Sequence, residues 1–150
     1  MEVVSSLFVE GYADRLSYRP GDTVRLHVST SAELYAIEVA RWGVEREVVC
    51  ALSDIAGQVH PVPEAASAEG CGWPVSHEFT IPADWRSGYY EVVFRAVDGG
   101  GKFSQRGRRS AESRGFFIVR PAAATAAKIL LQLATNTYVA YNNWGGYSLY

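Results

Sequence analysis

PADWRSGYYEVVFRAV, residues 82–97, joins a turn to the strand that follows it. The first seven residues break regular structure, whereas Tyr90, Val92 and Phe94 recur at every second position and therefore share one face of a strand. A tyrosine that opens the penultimate strand after such a corner is typical of immunoglobulin-like sandwiches, where its hydroxyl bonds back to upstream backbone. We therefore predict structural roles for Tyr90 and Gly88.

Other segments with a two-residue period lie on both sides of this strand. Val24, Leu26 and Val28 alternate with polar residues, which predicts a strand over residues 23–30. Prolines and glycines concentrate between residues 54 and 74 and predict a long loop. The pattern as a whole predicts an all-β fold, an immunoglobulin-like antiparallel β-sandwich of roughly seven strands over residues 1–121. The other expected strands cover residues 34–42, 48–52, 75–81, 89–97 and 115–120.

Two features of antibody domains are missing from this pattern. Val92 stands where the second bridging cysteine would be, and Ile37 or Val39 stands where the core tryptophan would be. The similarity is therefore to the broad sandwich architecture. In proteins without a secretory signal, two cysteines are more often buried or loop thiols than a disulfide. The sequence leaves the pairing of Cys50 and Cys71 open.

Composition argues against several classes of partner. The net charge of −2 and the pI of about 5.9 provide no field that would attract nucleic acid or an anionic membrane. Residues 1–14 lack the basic start and apolar run of a secretory signal, so we expect a cytoplasmic protein. Gln132 and Asn136 interrupt the long uncharged run near the C-terminus, so we expect no membrane span.

The tail differs in character from the rest of the chain. Residues 128–135, KILLQLAT, form a near-continuous apolar run that suits a strand buried in a parallel sheet. The residues that follow, up to 150, are uncharged and carry an aromatic residue at every third position from Tyr138. Such a surface should be covered by a partner chain, by the sandwich or by further sequence. We therefore expect contact with the remainder of a parent protein, or with a second copy of this chain, through the uncharged tail.

Several motifs together resemble one family. GYADRLS at 11–17, RPGDTV at 19–24, FFIVRP at 116–121 and AYNNWGG at 140–146 resemble the large (beta) subunit family of N,N-dimethylformamidase. The resemblance implies an amidohydrolase in which a β-sandwich precedes a larger α/β domain similar to class I glutamine amidotransferases. It places this chain in the N-terminal region of such a protein. Residues 122–150 would then be a linker with the first strand and motif of that α/β domain.

The same resemblance implies a mononuclear iron held by two tyrosines and a glutamate. It makes Tyr141 a candidate metal ligand and Tyr150 a further candidate, with Asn142, Asn143 and Trp144 as candidate substrate-binding residues. No catalytic residue is assigned. Because one phenolate does not hold a catalytic metal, we expect no cofactor and no catalysis from this chain alone, and iron only in the complete protein.

Two functions from different classes remain open. The first is a structural and interaction module of a dimethylformamidase-like, metal-dependent amidohydrolase, whose complete protein hydrolyses the C–N bond of small amides. The alternative is a free-standing immunoglobulin-like binding or adhesion module without catalysis. Fold alone does not choose between them.

Overall fold

The computed structural model describes residues 6–97, 109–122, 128, 130 and 132–141. Two β-sheets enclose one core, so the predicted all-β sandwich is confirmed. The strands are β1 (Val9–Ala13), β2 (Ser17–Tyr18), β3 (Thr23–Thr30), β4 (Leu34–Trp42), β5 (Arg46–Ala56), β6 (His77–Thr80), β7 (Gly88–Val97) and β8 (Ser110–Val119). Two short helices complete the described elements, α1 (Ala66–Glu69) and α2 (Thr135–Tyr141).

The strands divide into a three-stranded sheet in the order β1-β3-β6 and a five-stranded sheet in the order β2-β8-β7-β4-β5. Neighbouring strands run antiparallel, except that the two-residue strand β2 pairs with β8 in parallel. The large fully buried side chains alternate along the strands, as the period of two requires, and include Phe94 and Phe117. A Cβ at Gly11 would lie 2.8 Å from the ring of Phe94, so β1 passes over the core at a position that only glycine fits.

Strand β5 is longer than its sequence pattern suggested. The structure extends it over Arg46–Ala56, whereas alternation predicted residues 48–52. Its register against β4 shifts twice, between Tyr35 and Ile37 and between Val39 and Ala40, and each shift leaves an extra residue in β5. Asp54, beside one shift, has a φ of 57°. These bulges interrupt the two-residue period, which is why the pattern identified only the middle of the strand.

The predicted loop packs on the three-stranded sheet. Trp73 is buried, and its indole N–H donates a 2.9 Å hydrogen bond to the carbonyl of Pro61. The Nδ1 atom of His27, on β3, lies 2.7 Å from the carbonyl oxygen of Trp73. The ring of Tyr12, on β1, stacks on that of His27 with centroids 4.9 Å apart. These contacts anchor the loop to the sheet through Trp73.

The tail is the part that departs most from its prediction. Residues 128, 130 and 132–134 carry no strand, and Thr135–Tyr141 form helix α2 instead. A strand of a parallel sheet requires hydrogen-bonding neighbours, and among the described strands none lies beside residues 128–134. The boundary between residues 121 and 122 as a domain division stays a prediction. Within the part of the chain described, no helix has the length and apolar character needed to cross a bilayer.

Candidate functional site

The candidate site is helix α2 together with the outer face of the five-stranded sheet. Tyr90, Val92 and Phe94 point into the core. The residues between them on β7 therefore point away from the core, and so do the alternate residues of β8. This outer face carries two groups of side chains, one aromatic and one charged.

The aromatic group fixes the tail to the sheet. Tyr89 on β7 stacks on Phe116 of β8 with ring centroids 5.2 Å apart and an interplanar angle of 17°. Phe116 in turn contacts Tyr138 of α2 at a centroid distance of 5.3 Å and an angle of 51°. We call these three residues the aromatic stack. A seven-residue helix is too short to be stable by itself in water, so this packing is what holds α2 in place.

The environment of Tyr89 is consistent with that packing. Burial raises the pKa of the Tyr89 hydroxyl. The neighbouring Tyr138 and Glu91 raise this pKa further, because a negative charge on either residue disfavours the ionisation of Tyr89. Tyr89 therefore stays neutral at physiological pH and acts in the stack as an apolar ring. Each aromatic pair of this geometry contributes about 0.5–1.5 kcal/mol beyond the burial of its surface.

Tyr141 ends helix α2, three residues after Tyr138. Tyr138 contacts Phe116 with its ring and is 56% exposed, whereas Tyr141 is 66% exposed. Its phenol group is therefore accessible to a partner that approaches this side of the sandwich. Its role as a metal ligand stays a prediction. The other candidates lie outside the described residues: Tyr150, Asn142, Asn143 and Trp144.

A metal centre would need more donors than this helix supplies. Within residues 6–97, 109–122 and 128–141, so far as they are described, no three His, Cys, Asp or Glu residues are grouped to hold an ion. Of the two candidate tyrosines only Tyr141 is described. The described residues therefore do not by themselves form the donor set that the resemblance implies.

The charged group on the outer face is a network that crosses four strands. Arg46 of β5 donates to Glu38 of β4 at 2.6 Å and to Glu91 of β7 at 2.8 Å. Glu91 also accepts a 3.0 Å hydrogen bond from Arg114 of β8. We call this set of three arginines and three glutamates the charged network, and it comprises Glu38, Arg46, Glu91, Arg95, Glu112 and Arg114.

Burial and charge act together on Glu91. Its side chain is only 10% exposed. Burial alone would raise the pKa of this carboxyl, but hydrogen bonds from Arg46 and Trp42 and the charges of Arg114 and Arg46 outweigh it and lower the pKa. Glu91 is therefore ionised and fully engaged at neutral pH. The network makes the face polar without giving it net charge.

The sequence pattern alone does not predict this network, although it contains one signal of it. The outward positions of β7 and β8 carry opposite charges that face each other, since Arg95 pairs in register with Glu112. Cross-strand pairs of this kind are recognisable once strand register is known. The link between Arg46 and Glu91 had no comparable local signal, because the two residues are 45 positions apart.

The corner before β7 has the geometry expected for its residues. The hydroxyl of Tyr90 donates a 2.6 Å hydrogen bond to the carbonyl of Arg86. Arg41 of β4 donates from Nη2 to the carbonyl of Ser87 at 3.1 Å. Gly88 has a φ of 148°, which side chains with a Cβ rarely adopt. These contacts fix the direction in which β7 leaves the corner.

The cysteines do not form a disulfide in this structure. Cys50 on β5 is partly buried and Cys71 in the loop is buried, and both are free thiols. Burial raises the pKa of each thiol, so neither is an activated nucleophile.

Comparison with known proteins identifies one family. The family model described as N,N-dimethylformamidase beta subunit-like, C-terminal, matches residues 36–150, which include β4 to β8 and the tail. The description places the matched region on the C-terminal side of the family's proteins, which corrects our prediction of an N-terminal region.

Individual proteins and solved structures give less information than the family match. No curated protein matches the chain. Among solved structures, the crystal structure of Spo0M, sporulation control protein, from Bacillus subtilis superposes with a TM-score of 0.49 and 13% identity over 79% of this chain. The aligned region spans 51% of that solved chain, about half of its length.

Proposed function

The chain belongs to the N,N-dimethylformamidase beta subunit-like, C-terminal family, and from this membership we propose that it is a structural and interaction module of a metal-dependent amidohydrolase. The complete protein hydrolyses the C–N bond of small amides in this proposal. The chain itself contributes the sandwich and the tail and does not catalyse the reaction alone. The family match over residues 36–150 supports the association with such an enzyme.

One observation carries the proposed role of the sandwich. Phe116 on the outer face of the sheet contacts Tyr138, and this contact attaches helix α2 to a rigid strand. Tyr141, at the end of that helix, is exposed. A residue that must meet groups from elsewhere in a protein is placed more precisely when a packed scaffold supports its helix. The sandwich thus acts as the support on which the tail is presented.

Tyr141 supplies one oxygen donor in this proposal. A phenolate oxygen suits a ferric or ferrous ion, and the other ligands come from residues outside the described set, Tyr150 among them. Iron bound there would polarise the amide carbonyl and activate water. The contribution of this chain's own residues is to hold the phenol of Tyr141 at a fixed position beside the sheet.

The partner of the tail is the remainder of the parent enzyme or a second copy of this chain. The family description names a beta subunit, which is consistent with an assembly of more than one chain. The outer face offers an aromatic end at the stack and a polar, electrically balanced area at the charged network. Interfaces between subunits commonly combine an aromatic centre with a polar rim, so this face suits the role.

Replacement of Tyr141 by Phe in the complete protein tests the proposal, with Tyr138→Phe as the matched control. Both changes remove one hydroxyl from the same helix. We expect Tyr141→Phe to lower bound iron by about tenfold or more, because even supporting groups of a metal site are worth 10–100-fold in affinity. Tyr138→Phe should leave the amount of bound iron unchanged. Elemental analysis gives iron per chain, and hydrolysis of N,N-dimethylformamide gives activity. Wild-type iron content in Tyr141→Phe would contradict the assignment.

A further inference from the structure

An open pocket of about 630 Å³ lies where the β4–β5 hairpin ends, beside the corner that precedes β7. Charged side chains dominate its lining, and they include Arg41, Glu45, Arg46, Glu47 and Arg86. It lies at the hairpin end of the sandwich, and none of its lining residues belongs to helix α2 or to the aromatic stack. The pocket therefore requires an explanation separate from that of the tail.

Two of the three arginines already have carboxylate partners. Arg46 is held by Glu38 and Glu91 in the charged network. Arg86 pairs with Glu47 at 3.4 Å, but the two side chains are 72% and 60% exposed. An ion pair so exposed contributes little, because water competes for both charges. Arg86 is therefore available to exchange Glu47 for another anion.

Arg41 is the arginine without a carboxylate partner. It is partly buried, and no carboxylate of the described residues lies within ion-pair distance of its guanidinium group. Its Nη2 atom donates to the carbonyl of Ser87 at 3.1 Å. Its Nε atom is buried and has no acceptor. A partly buried cation without a carboxylate partner favours a bound anion, because burial of an uncompensated charge is costly.

The guanidinium group is flanked by glycine on two sides. A Cβ at Gly43 would lie 2.9 Å from Nη1, and a Cβ at Gly88 would lie 3.4 Å from Nε and from Nη2. No side chain from these two positions covers the group. Because Nε itself is buried, an anion in the pocket would contact the other donors of this planar group, which matches the geometry of a carboxylate.

We propose that this pocket binds a carboxylate group, which Arg41 and Arg86 hold together. Glu45 and Glu47 also line the pocket and repel an anion, so binding is weak and depends on the displacement of Glu47 from Arg86. The carboxylate belongs either to a small free acid or to an aspartate or glutamate of a polypeptide. The chemistry of recognition is the same in both cases.

The test is a titration of the ¹⁵N-labelled chain with sodium acetate, followed by NMR at the amides of Gly43 and Gly88. Sodium chloride at equal ionic strength is the control for screening. We expect saturable shifts with acetate only. Arg41→Gln should weaken binding by about tenfold, as expected for the loss of hydrogen bonds to a charged group. Arg25→Gln, on the opposite sheet, should leave the dissociation constant unchanged.

Two further variants keep the proposal falsifiable if Arg41→Gln disturbs the corner. Arg86→Gln retains the backbone carbonyl that Tyr90 uses and should weaken binding, whereas Glu47→Gln should tighten it by about twofold or more because it releases Arg86 and removes a repelling charge. A blocked peptide with one aspartate identifies the source: tighter binding than acetate indicates a polypeptide, and weaker binding indicates a small acid. Shifts that chloride reproduces, or a dissociation constant unaffected by Arg41→Gln and Arg86→Gln, would overturn the proposal.

Discussion

Three buried tyrosines differ in what their hydroxyl groups do. Tyr90 donates to the carbonyl of Arg86, and Tyr18 donates to Asp14 at 2.5 Å while it accepts from the amide of Arg15. Tyr35 is equally buried, but its hydroxyl has no hydrogen-bond partner, and burial raises its pKa to about 12. The same residue type therefore stabilises the fold at two positions and carries an unsatisfied polar atom at the third.

This contrast predicts opposite results from the same substitution. Tyr90→Phe leaves the carbonyl of Arg86 without its donor and should lower the free energy of unfolding by about 1–3 kcal/mol. Tyr35→Phe removes an unsatisfied hydroxyl and should not lower it. Urea unfolding at neutral pH measures the free energy of unfolding of both variants. A loss with Tyr35→Phe as large as that with Tyr90→Phe would show that the hydroxyl of Tyr35 has a partner after all.

The sequence predicts the role of a residue where the residues that define this role are adjacent in the chain. Tyr90 and Gly88 were identified because a turn and the start of a strand occupy adjacent positions. Arg41 was not identified, because its partner Ser87 is 46 residues away in the chain and nothing near Arg41 marks it. The candidate ligands came from a motif in the tail, and of them only Tyr141 has a described environment.

At the scale of elements, the bounds of β3 and β4 agree with the sequence pattern to the residue. Both strands alternate regularly and are bounded by turns, so one face is buried throughout. The ends of β5 were missed because its bulges disrupt that alternation. The apolar run of the tail carries neither strand nor helix at residues 128, 130 and 132–134, because no described strand lies beside it to accept and donate backbone hydrogen bonds.

The charged network joins β4, β5, β7 and β8, and it makes their association sensitive to acid. The arginines lower the pKa values of Glu38 and Glu112, and they lower that of Glu91 despite its burial. A carboxylate whose pKa is lower in the folded state stabilises the fold above its unfolded pKa, about 4.3 for Glu, and loses that effect as the pH falls through the folded value. Stability should therefore decline below about pH 5.

Glu91→Gln tests the contribution of the network. At pH 7 it should lower the free energy of unfolding by about 1–3 kcal/mol, because Arg46 and Arg114 lose a charged acceptor. The difference from wild type should shrink as the pH falls through the lowered pKa of Glu91, because the carboxyl itself then becomes protonated. Glu69→Gln, in the exposed helix α1, is the control. Parallel stability curves for wild type and Glu91→Gln between pH 3 and 7 would contradict this prediction.

At the scale of the whole molecule, the buried core of the described residues lies in the sandwich and not in the tail. The buried core residues lie between Val9 and Val119, whereas Leu130, Tyr138 and Tyr141 of the tail are exposed. The tail therefore contributes little to the stability of the sandwich and leaves apolar surface for a partner.

Removal of the tail separates these two properties. A chain that ends at residue 122 should unfold with nearly the same urea midpoint as the full chain, because it keeps every buried core residue that the structure describes. The full chain should self-associate with increasing concentration, whereas the shortened chain should remain a monomer. Light scattering over a range of concentrations measures this. If both chains are monomeric, the tail does not mediate contact between copies.

We propose that the sandwich supports the tail of an amidohydrolase through the aromatic stack. The most direct test is hydrolysis of N,N-dimethylformamide by the complete protein with Phe116→Ala. Val48→Ala on β5, which changes an exposed residue of the same sheet, is the control. We expect Phe116→Ala to lower kcat by about tenfold or more, because small misplacements of site residues are costly, while the thermal midpoint stays within a few degrees. Hydrolysis at the wild-type rate would contradict the account.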